Sequence, residues 1–251
     1  MAMHTGRAVL GAAAIALSLA VAGCGSGANS PSATSQAETS STGTSNAETS
    51  TAETSTVETS AAEATSSPAA PGTDAAAPDY TVGDYLRDNG ITQTMVKRGE
   101  PGVPELNLPT PAGWVDVGAD TPDNAYGAIV LESAAGEPNP PAIIAQMARL
   151  GDGEVDQATI LELAPNAVRK LPGFEGPATG RPSSLAGFDA VEIAGTADAE
   201  GTPMFVARKT VVIPGRDAIY LLALDAQGPP EHQGAMMEAM ATIDAETTIE
   251  P

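Results

Sequence analysis

Cysteine, histidine, aromatic and basic residues are all scarce in this chain of 251 residues. The only cysteine is Cys24 and the two histidines are His4 and His232, so a disulfide framework is excluded and the usual zinc sites and Cys/His catalytic pairs are disfavoured. Aromatic residues make up 3%, and 11 Lys and Arg stand against 32 Asp and Glu, for a net charge of -21. This charge disfavours a nucleic acid or an anionic bilayer as an electrostatic partner. We therefore expect no nucleic-acid partner, no metal and no cofactor.

The amino-terminal residues have the pattern of a lipoprotein signal peptide. Arg7 precedes an uncharged apolar run, 8–22, which is too short to cross a membrane as a helix. The run ends in Val-Ala-Gly-Cys, the pattern of a bacterial lipobox, which predicts cleavage after residue 23 and acylation of Cys24 by diacylglycerol and palmitate-type chains. We expect a protein that is lipid-anchored on the extracytoplasmic face of the cell membrane. The alternative is an ordinary signal peptide with an incidental cysteine.

Residues 24–79 have the composition of a disordered tether. They are almost entirely Ser, Thr, Ala, Gly, Pro and Glu, and Val57 is the one branched aliphatic residue between Gly25 and Asp79. Four copies of an Ala/Val-Glu-Thr-Ser repeat occur here, and the later copies are spaced five residues apart. Such a segment buries too little apolar surface to offset its conformational entropy. It is either a bare polar spacer or an O-glycosylated one.

Residues 80–251 contain every aromatic side chain of the chain and predict one globular domain of the α+β class. Capping residues and apolar spacing predict helices at 80–89, 140–150, 157–170 and 229–243. Strand character is found at 91–98, 114–117, 125–133, 188–196, 204–213 and 218–224. The last three strands are separated by the turn sequences 198–201 and 214–217 and form an antiparallel meander. The expected architecture is an antiparallel sheet flanked by helices.

Candidate catalytic residues are few. His232 is the histidine that would remain after signal cleavage, and it lies in a polar helix start with no Gly-x-Ser-x-Gly motif before a candidate serine. Asp152, Glu154 and Asp156 alternate like the first ligands of a calcium loop, but Gln157 and Leu163 stand where that loop needs glycine and a bidentate acid. We interpret these acids as a solvated loop in which Asp156 caps a helix. Paired carboxylates for hydrolysis are not excluded, but an enzyme is the minority hypothesis.

The domain resembles the mycobacterial LpqN and LpqT lipoprotein family. The motifs that carry the resemblance span the whole domain: Lys-Arg-Gly-Glu-Pro-Gly-Val-Pro at 97–104, Gly-Trp at 113–114, Asn-Pro-Pro at 139–141, Leu-Pro-Gly-Phe at 171–174, Leu-Ala-Gly-Phe at 185–188, Lys-Thr-Val-Val-Ile at 209–213 and Thr-Thr-Ile at 247–249. They are glycines and prolines at turns and apolar residues in strands. The resemblance implies a fold like that of PsbP and Mog1. It also implies a non-enzymatic accessory role in the cell envelope, in some relatives beside the lipid-export machinery.

Two binding hypotheses remain open. Met236, Met237 and Met240 have flexible thioethers that suit a groove for an apolar ligand such as an envelope lipid, and their alternative role is packing of the helix on the sheet. Lys97 and Arg98 form a small basic group suited to docking on a membrane exporter or wall enzyme, and their alternative is two solvated charges. The docking hypothesis depends on fewer features of the sequence than the carrier hypothesis and is preferred. A cavity large enough for an acyl chain favours the carrier, whereas a filled core with an exposed apolar patch favours the docking module.

Overall fold

The computed structural model describes residues 79–251, so the predicted signal peptide, Cys24 and the tether as far as residue 78 lie outside the described residues. The helices of this part are α1 (Val82–Asp88), α2 (Gln157–Arg169) and α3 (Gln233–Glu246). The strands are β1 (Thr92–Val96), β2 (Glu105–Asn107), β3 (Trp114–Asp116), β4 (Gly127–Leu131), β5 (Ala142–Gly151), β6 (Arg181–Leu185), β7 (Phe188–Ala199), β8 (Thr202–Pro214), β9 (Ile219–Gly228) and β10 (Thr248–Glu250).

Eight of the strands form one antiparallel sheet. Their order is β3-β4-β5-β9-β8-β7-β6, and β1 also pairs with β5. β5 pairs with β4 along residues 142–145 and with β1 along residues 147–151. β5 also pairs with β9, along nearly the whole length of β5. β2 and β10 pair separately with each other. The predicted α+β class, with helices flanking an antiparallel sheet that includes the meander β7-β8-β9, is confirmed.

The sheet carries apolar side chains on both faces because successive residues of a strand point in opposite directions. On one face, Met236 of α3 belongs to the same cluster of buried side chains as Leu222 of β9. On the other face, Leu163 of α2 belongs to a second cluster together with Leu221 of β9 and residues of α1. The central strands are therefore covered on both faces. At the edge of the sheet, the surface beside α3 is separate from the surface beside α2.

The helix predicted at 140–150 is wrong, because this segment is the central strand β5. Its Ala, Met, Leu and Gln residues have good helix propensity, which favoured the helix at the sequence level. In the fold the strand is covered by helices on both faces, and six of the seven residues from Ala142 to Ala148 are buried. A strand buried on both faces loses the alternation of apolar and polar residues that identifies a strand.

Two predicted helix starts are confirmed by their caps. The Thr81 hydroxyl accepts a hydrogen bond from the Asp84 backbone N–H at 3.3 Å, and the Asp84 carboxylate accepts one from the Thr81 N–H at 2.9 Å, which forms a capping box. Hydrogen bonds from the Thr81 hydroxyl and N–H to the carboxylate lower the pKa of Asp84 to about 2. Asp156 accepts from the Ala158 N–H at 2.9 Å at the start of α2. Asp156 therefore has the capping role that the sequence predicts.

The turn between β7 and β8 follows from local sequence. Glu200 and Gly201 both have positive φ, 54° and 85°, as a two-residue turn of type I′ requires. Ala199 and Thr202 are opposite one another in the register, so the turn closes the hairpin directly. Glycine adopts positive φ without the cost that Cβ imposes on other residues. The turn predicted at 198–201 is confirmed.

Candidate functional site

The candidate site is a groove of about 700 Å³ between α3 and the edge of the sheet at β6 and β7. We call it the α3 groove. Its volume is within the range of roughly 300–1,000 Å³ that is typical of small-molecule sites. The residues that line it are Pro177, Thr179, Gly180, Arg181, Pro182, Glu192, Ile193, Ala194, Ala207, Arg208, Lys209, Met237, Met240, Ala241 and Asp244.

The three methionines of α3 are divided between the core and this groove. Met236 is completely buried in the cluster under α3 and does not line the groove. Met240 is largely buried but lines it, and Met237 lines it with 45% of its surface exposed. Helix packing thus accounts for Met236, whereas Met237 and Met240 have the position that the apolar-groove hypothesis requires. Binding of a ligand by these residues remains a prediction.

A charged cluster surrounds Lys209, which lines the α3 groove although its side chain is only 2% exposed. Its Nζ lies 2.7 Å from Asp244 Oδ2 on α3 and 3.2 Å from Glu192 Oε2 on β7. It also donates to Ser183 Oγ at 2.9 Å. A buried ammonium needs such partners because an unpaired charge in a low-dielectric environment is very unfavourable. The ion pairs also attach the end of α3 to the sheet beside the groove.

Glu192 has a second cationic partner in Arg181 of β6, with which it forms an ion pair. Burial acts to raise the pKa of Glu192, but the positive charge and hydrogen bond of Lys209, together with Arg181, outweigh it and lower this pKa. Glu192 is therefore held as a carboxylate. It is suited to structural pairing and is poorly suited to take up a proton as a general base near neutral pH.

A second groove lies on the opposite face of the same sheet edge, between α2 and the β6–β7 hairpin, and has a volume of about 690 Å³. We call it the α2 groove. Apolar and small side chains form much of its wall, and Glu162, Arg169 and Asp189 lie among them. The full lining is Ala158, Leu161, Glu162, Leu163, Pro165, Asn166, Arg169, Ala178, Thr179, Gly180, Pro182, Ser183, Asp189, Ala190 and Val191.

The basic group Lys97 and Arg98 follows β1 and lies outside the lining of both grooves. Both residues are exposed, but Arg98 is already engaged. Its Nη1 lies 3.1 Å from Asp116 Oδ2, and its guanidinium is 5.8 Å from the centre of the Tyr126 ring. Lys97 and Arg98 are thus an exposed but partly neutralised pair, and contact with a partner through them remains a prediction.

A second buried ion pair lies on the face of α1 and α2. Arg208 donates from Nε and Nη2 to the two carboxylate oxygens of Asp225, at 2.6 and 2.8 Å. Complete burial raises the pKa of Asp225, although the charge and hydrogen bonds of Arg208 act in the opposite direction. Sequence reasoning missed this pair and the Lys209 cluster. The one available signal was the dipeptide of Arg208 and Lys209 inside the otherwise apolar segment 204–213.

The remaining candidate catalytic and metal-binding residues do not lie together in the fold. His232 Nε2 lies 3.4 Å from Glu137 Oε1 at the start of α3. Asp152 accepts a hydrogen bond from the Thr92 hydroxyl, while Asp156 caps α2. Within residues 79–251 no group of three or more His, Cys, Asp or Glu could hold a metal ion. In the same part of the chain no helix is both long and apolar enough to span a bilayer.

The arrangement of helices and sheet is that of a solved α+β envelope protein. The crystal structure of LpqN of Mycobacterium tuberculosis, described as involved in cell envelope biogenesis, is 39% identical and superposes with a TM-score of 0.65. The match covers 69% of this chain and 99% of the LpqN chain, so almost the whole crystallised protein is the counterpart of the present domain.

Sequence comparison gives the family. The family model for the probable lipoprotein LpqN matches residues 78–250. Lipoprotein LpqN of Mycobacterium tuberculosis is 38% identical over 170 residues, which cover 68% of this chain and 74% of LpqN. The chain belongs to the LpqN family, as the motifs between residues 97 and 249 indicate, and is a membrane-associated lipoprotein of the cell envelope.

Proposed function

We propose that this lipoprotein is a non-enzymatic accessory module of cell-envelope biogenesis whose α3 groove binds an apolar ligand such as an envelope lipid. Acylated Cys24 anchors it to the extracytoplasmic face of the cell membrane, and the tether holds the domain away from the bilayer. Because each buried CH₂ contributes about 0.8 kcal/mol, a diacylglycerol together with an acyl chain forms a stable anchor. The LpqN structure, described as involved in cell envelope biogenesis, supports the same process for this chain.

The observation that carries this proposal is the α3 groove itself. It has a volume of about 700 Å³, and Met237 at its side is exposed although the surrounding sheet is well packed. Within residues 79–251 the exposed large hydrophobic side chains are Met237 and Val115. A docking module that works through a broad apolar patch is therefore less well supported than a ligand groove. This reverses the order in which the sequence alone ranks the two hypotheses.

The charges in the groove support a binding role over a catalytic one. Lys209 is held between Asp244 and Glu192 at 2.7 and 3.2 Å, so both acids already neutralise a buried cation. A general acid or base needs a pKa near the working pH, and the lowered pKa of Glu192 moves it away from that range. The cluster is suited to fix the wall of the groove and to hold α3 in place.

The test is to identify what the domain carries. Fragment 79–251 is purified from a mycolate-bearing host, and its organic extract is compared by mass spectrometry with that of an unrelated secreted protein. We expect a stoichiometric lipid on the wild-type domain. Ala241→Trp places an indole in the α3 groove and should remove it, whereas Ala245→Trp, exposed on the same helix but outside the groove, should not. A lipid-free wild-type domain would contradict the proposal.

A second candidate function is docking on a membrane exporter, which is favoured by the exposure of Lys97 and Arg98 in the loop after β1. Lys97→Glu should then reduce cross-linking of the intact lipoprotein to exporter components in the membrane. Arg216→Glu makes a similar charge reversal at an exposed position of the β8–β9 turn and serves as the control. Equal cross-linking of both variants would exclude Lys97 as a docking residue.

A further inference from the structure

The two grooves flank the same edge of the sheet and share part of their walls. Thr179, Gly180 and Pro182 line both the α2 groove and the α3 groove. The grooves are also nearly equal in size, about 690 and 700 Å³, although they lie on opposite faces. What separates them is the short segment that precedes and begins β6.

This segment is bulged away from its neighbour β7. Glu175 pairs with Thr196 and Arg181 pairs with Glu192, so residues 176–180 on the outer chain are opposite residues 193–195 of β7, five against three. Extra residues on one strand interrupt the ladder and bend that strand outward. The bulge therefore lies at the point of the edge where the two grooves approach each other.

At the bulge the backbone packs closely against α2 and β7 because Gly180 has no side chain. A Cβ added to Gly180 would come within 2.5 Å of Pro165 Cγ on α2 and of Val191 Cγ2 on β7. The backbone thus lies close to both elements, and Gly180, which lines both grooves, forms part of the boundary between them. Arg181, the next residue, has a side chain that is 78% exposed and lies at the same edge, where a polar group of a ligand would remain in water.

We propose that the two grooves are the two arms of one site, which holds an amphiphile with two alkyl chains, one on each face of the sheet edge. The polar head lies at the bulge near Thr179 and Arg181. This inference rests on the proposed function of the α3 groove and extends it to the α2 groove. A single-chain ligand in the α3 groove would leave the α2 groove filled with water along its apolar wall. An amphiphile with two chains removes both apolar surfaces from water in one binding event.

The experiment compares two soluble probes that differ in chain number, diheptanoyl-phosphatidylcholine and heptanoyl-lysophosphatidylcholine. It uses fragment 79–251, the counterpart of the crystallised LpqN chain, with stoichiometry from native mass spectrometry and affinity from titration calorimetry. Ala158→Trp obstructs the α2 groove and Ala241→Trp obstructs the α3 groove. Ala245→Trp lines neither groove and is the matched control. All three alanines are exposed, and the urea midpoint of each variant verifies that it is folded.

We expect one two-chain molecule per domain, with an affinity that falls at least tenfold in both Ala158→Trp and Ala241→Trp and is unchanged in Ala245→Trp. The affinity for the single-chain probe should fall in no more than one of these two variants. Loss of two-chain binding in Ala241→Trp alone, or two independent molecules per domain, would overturn the two-arm site and leave the proposed function standing. Absence of binding of either probe to the wild type would overturn both.

Discussion

Neutralising the two acids around Lys209 is expected to destabilise the domain far more than replacing Lys209 by methionine. The Nζ of Lys209 lies 2.7 Å from Asp244 and 3.2 Å from Glu192, and the lysine is the most deeply buried of the three. In the double variant Asp244→Asn/Glu192→Gln the ammonium keeps its burial but loses both countercharges. In Lys209→Met an apolar chain of similar length fills the same space, and the two acids retain access to water.

The magnitude follows from these positions. Removing the partner of a fully buried charge costs about 3–5 kcal/mol, whereas a partly exposed charge is solvated by water and loses much less when its partner is removed. Asp244 and Glu192 are 33% and 22% exposed, so water screens part of each pair. We therefore expect each single acid variant to cost about 1–2 kcal/mol and the double variant about 3–4 kcal/mol. Lys209→Met leaves two partly exposed acids, and because such ion pairs contribute up to about 1 kcal/mol each, it should cost less than about 2 kcal/mol.

The assay is urea unfolding of fragment 79–251, in which a change of midpoint at constant slope reports a change in stability. The pKa of Glu192 is lowered in the folded protein, so its contribution is present above the ordinary glutamate pKa of about 4.3 and is lost as the pH falls below it. In Lys209→Met, the free energy of unfolding should therefore decrease less as the pH falls through this range. The reasoning is refuted if Lys209→Met destabilises the domain as much as the double acid variant.

Three further predictions concern other parts of the chain. Met236→Ala should cost about 2–5 kcal/mol because this side chain is completely buried, whereas Met237→Ala should change urea stability by less than about 0.5 kcal/mol. The pKa of Asp84 is lowered to about 2, so its stabilisation should be lost as the pH falls from about 4 to about 2, and Asp84→Asn should remove that part of the acid unfolding curve. Cys24→Ala should abolish membrane attachment, and a variant that still fractionates with membranes in high salt would contradict the lipobox.

Local signals predicted the parts of the fold that depend on neighbouring residues. The caps at Thr81 and Asp156 and the turn at Glu200 and Gly201 each involve residues within a few positions of one another. The strands of the meander follow from long apolar segments between such turns. β6 was not predicted, because its Arg-Pro-Ser-Ser-Leu sequence has low strand propensity and is held by pairing with β7 and by its position at the edge.

The candidate site was predicted only in part, because its charges come from distant segments. Lys209 and Asp244 are 35 residues apart, and Lys209 and Ser183 are 26 apart. The Arg-Lys dipeptide inside the apolar segment 204–213 is a local signal of burial, but it does not show which distant residues pair with Lys209. The methionine pattern of α3 led to the hypothesis of an apolar groove beside this helix, but it could not separate Met236, which faces the core, from Met237, which is exposed. That distinction depends on how α3 is rotated against the sheet.

The start of the described chain is fixed on the same side of the sheet as the α2 groove. Asn166 Nδ2 donates to the Tyr80 carbonyl at 2.8 Å, and Lys170 Nζ donates to the Asp79 carbonyl at 2.8 Å. Asn166 also lines the α2 groove, so one α2 side chain contacts both the entry of the chain and the groove wall. Residues 79 and 80 are therefore held beside the α2 groove, whereas the α3 groove lies on the opposite face of the sheet. If the proposed two-chain ligand binds at the shared edge, one arm lies on the face where Asn166 and Lys170 hold residues 79 and 80, and the other arm lies on the opposite face.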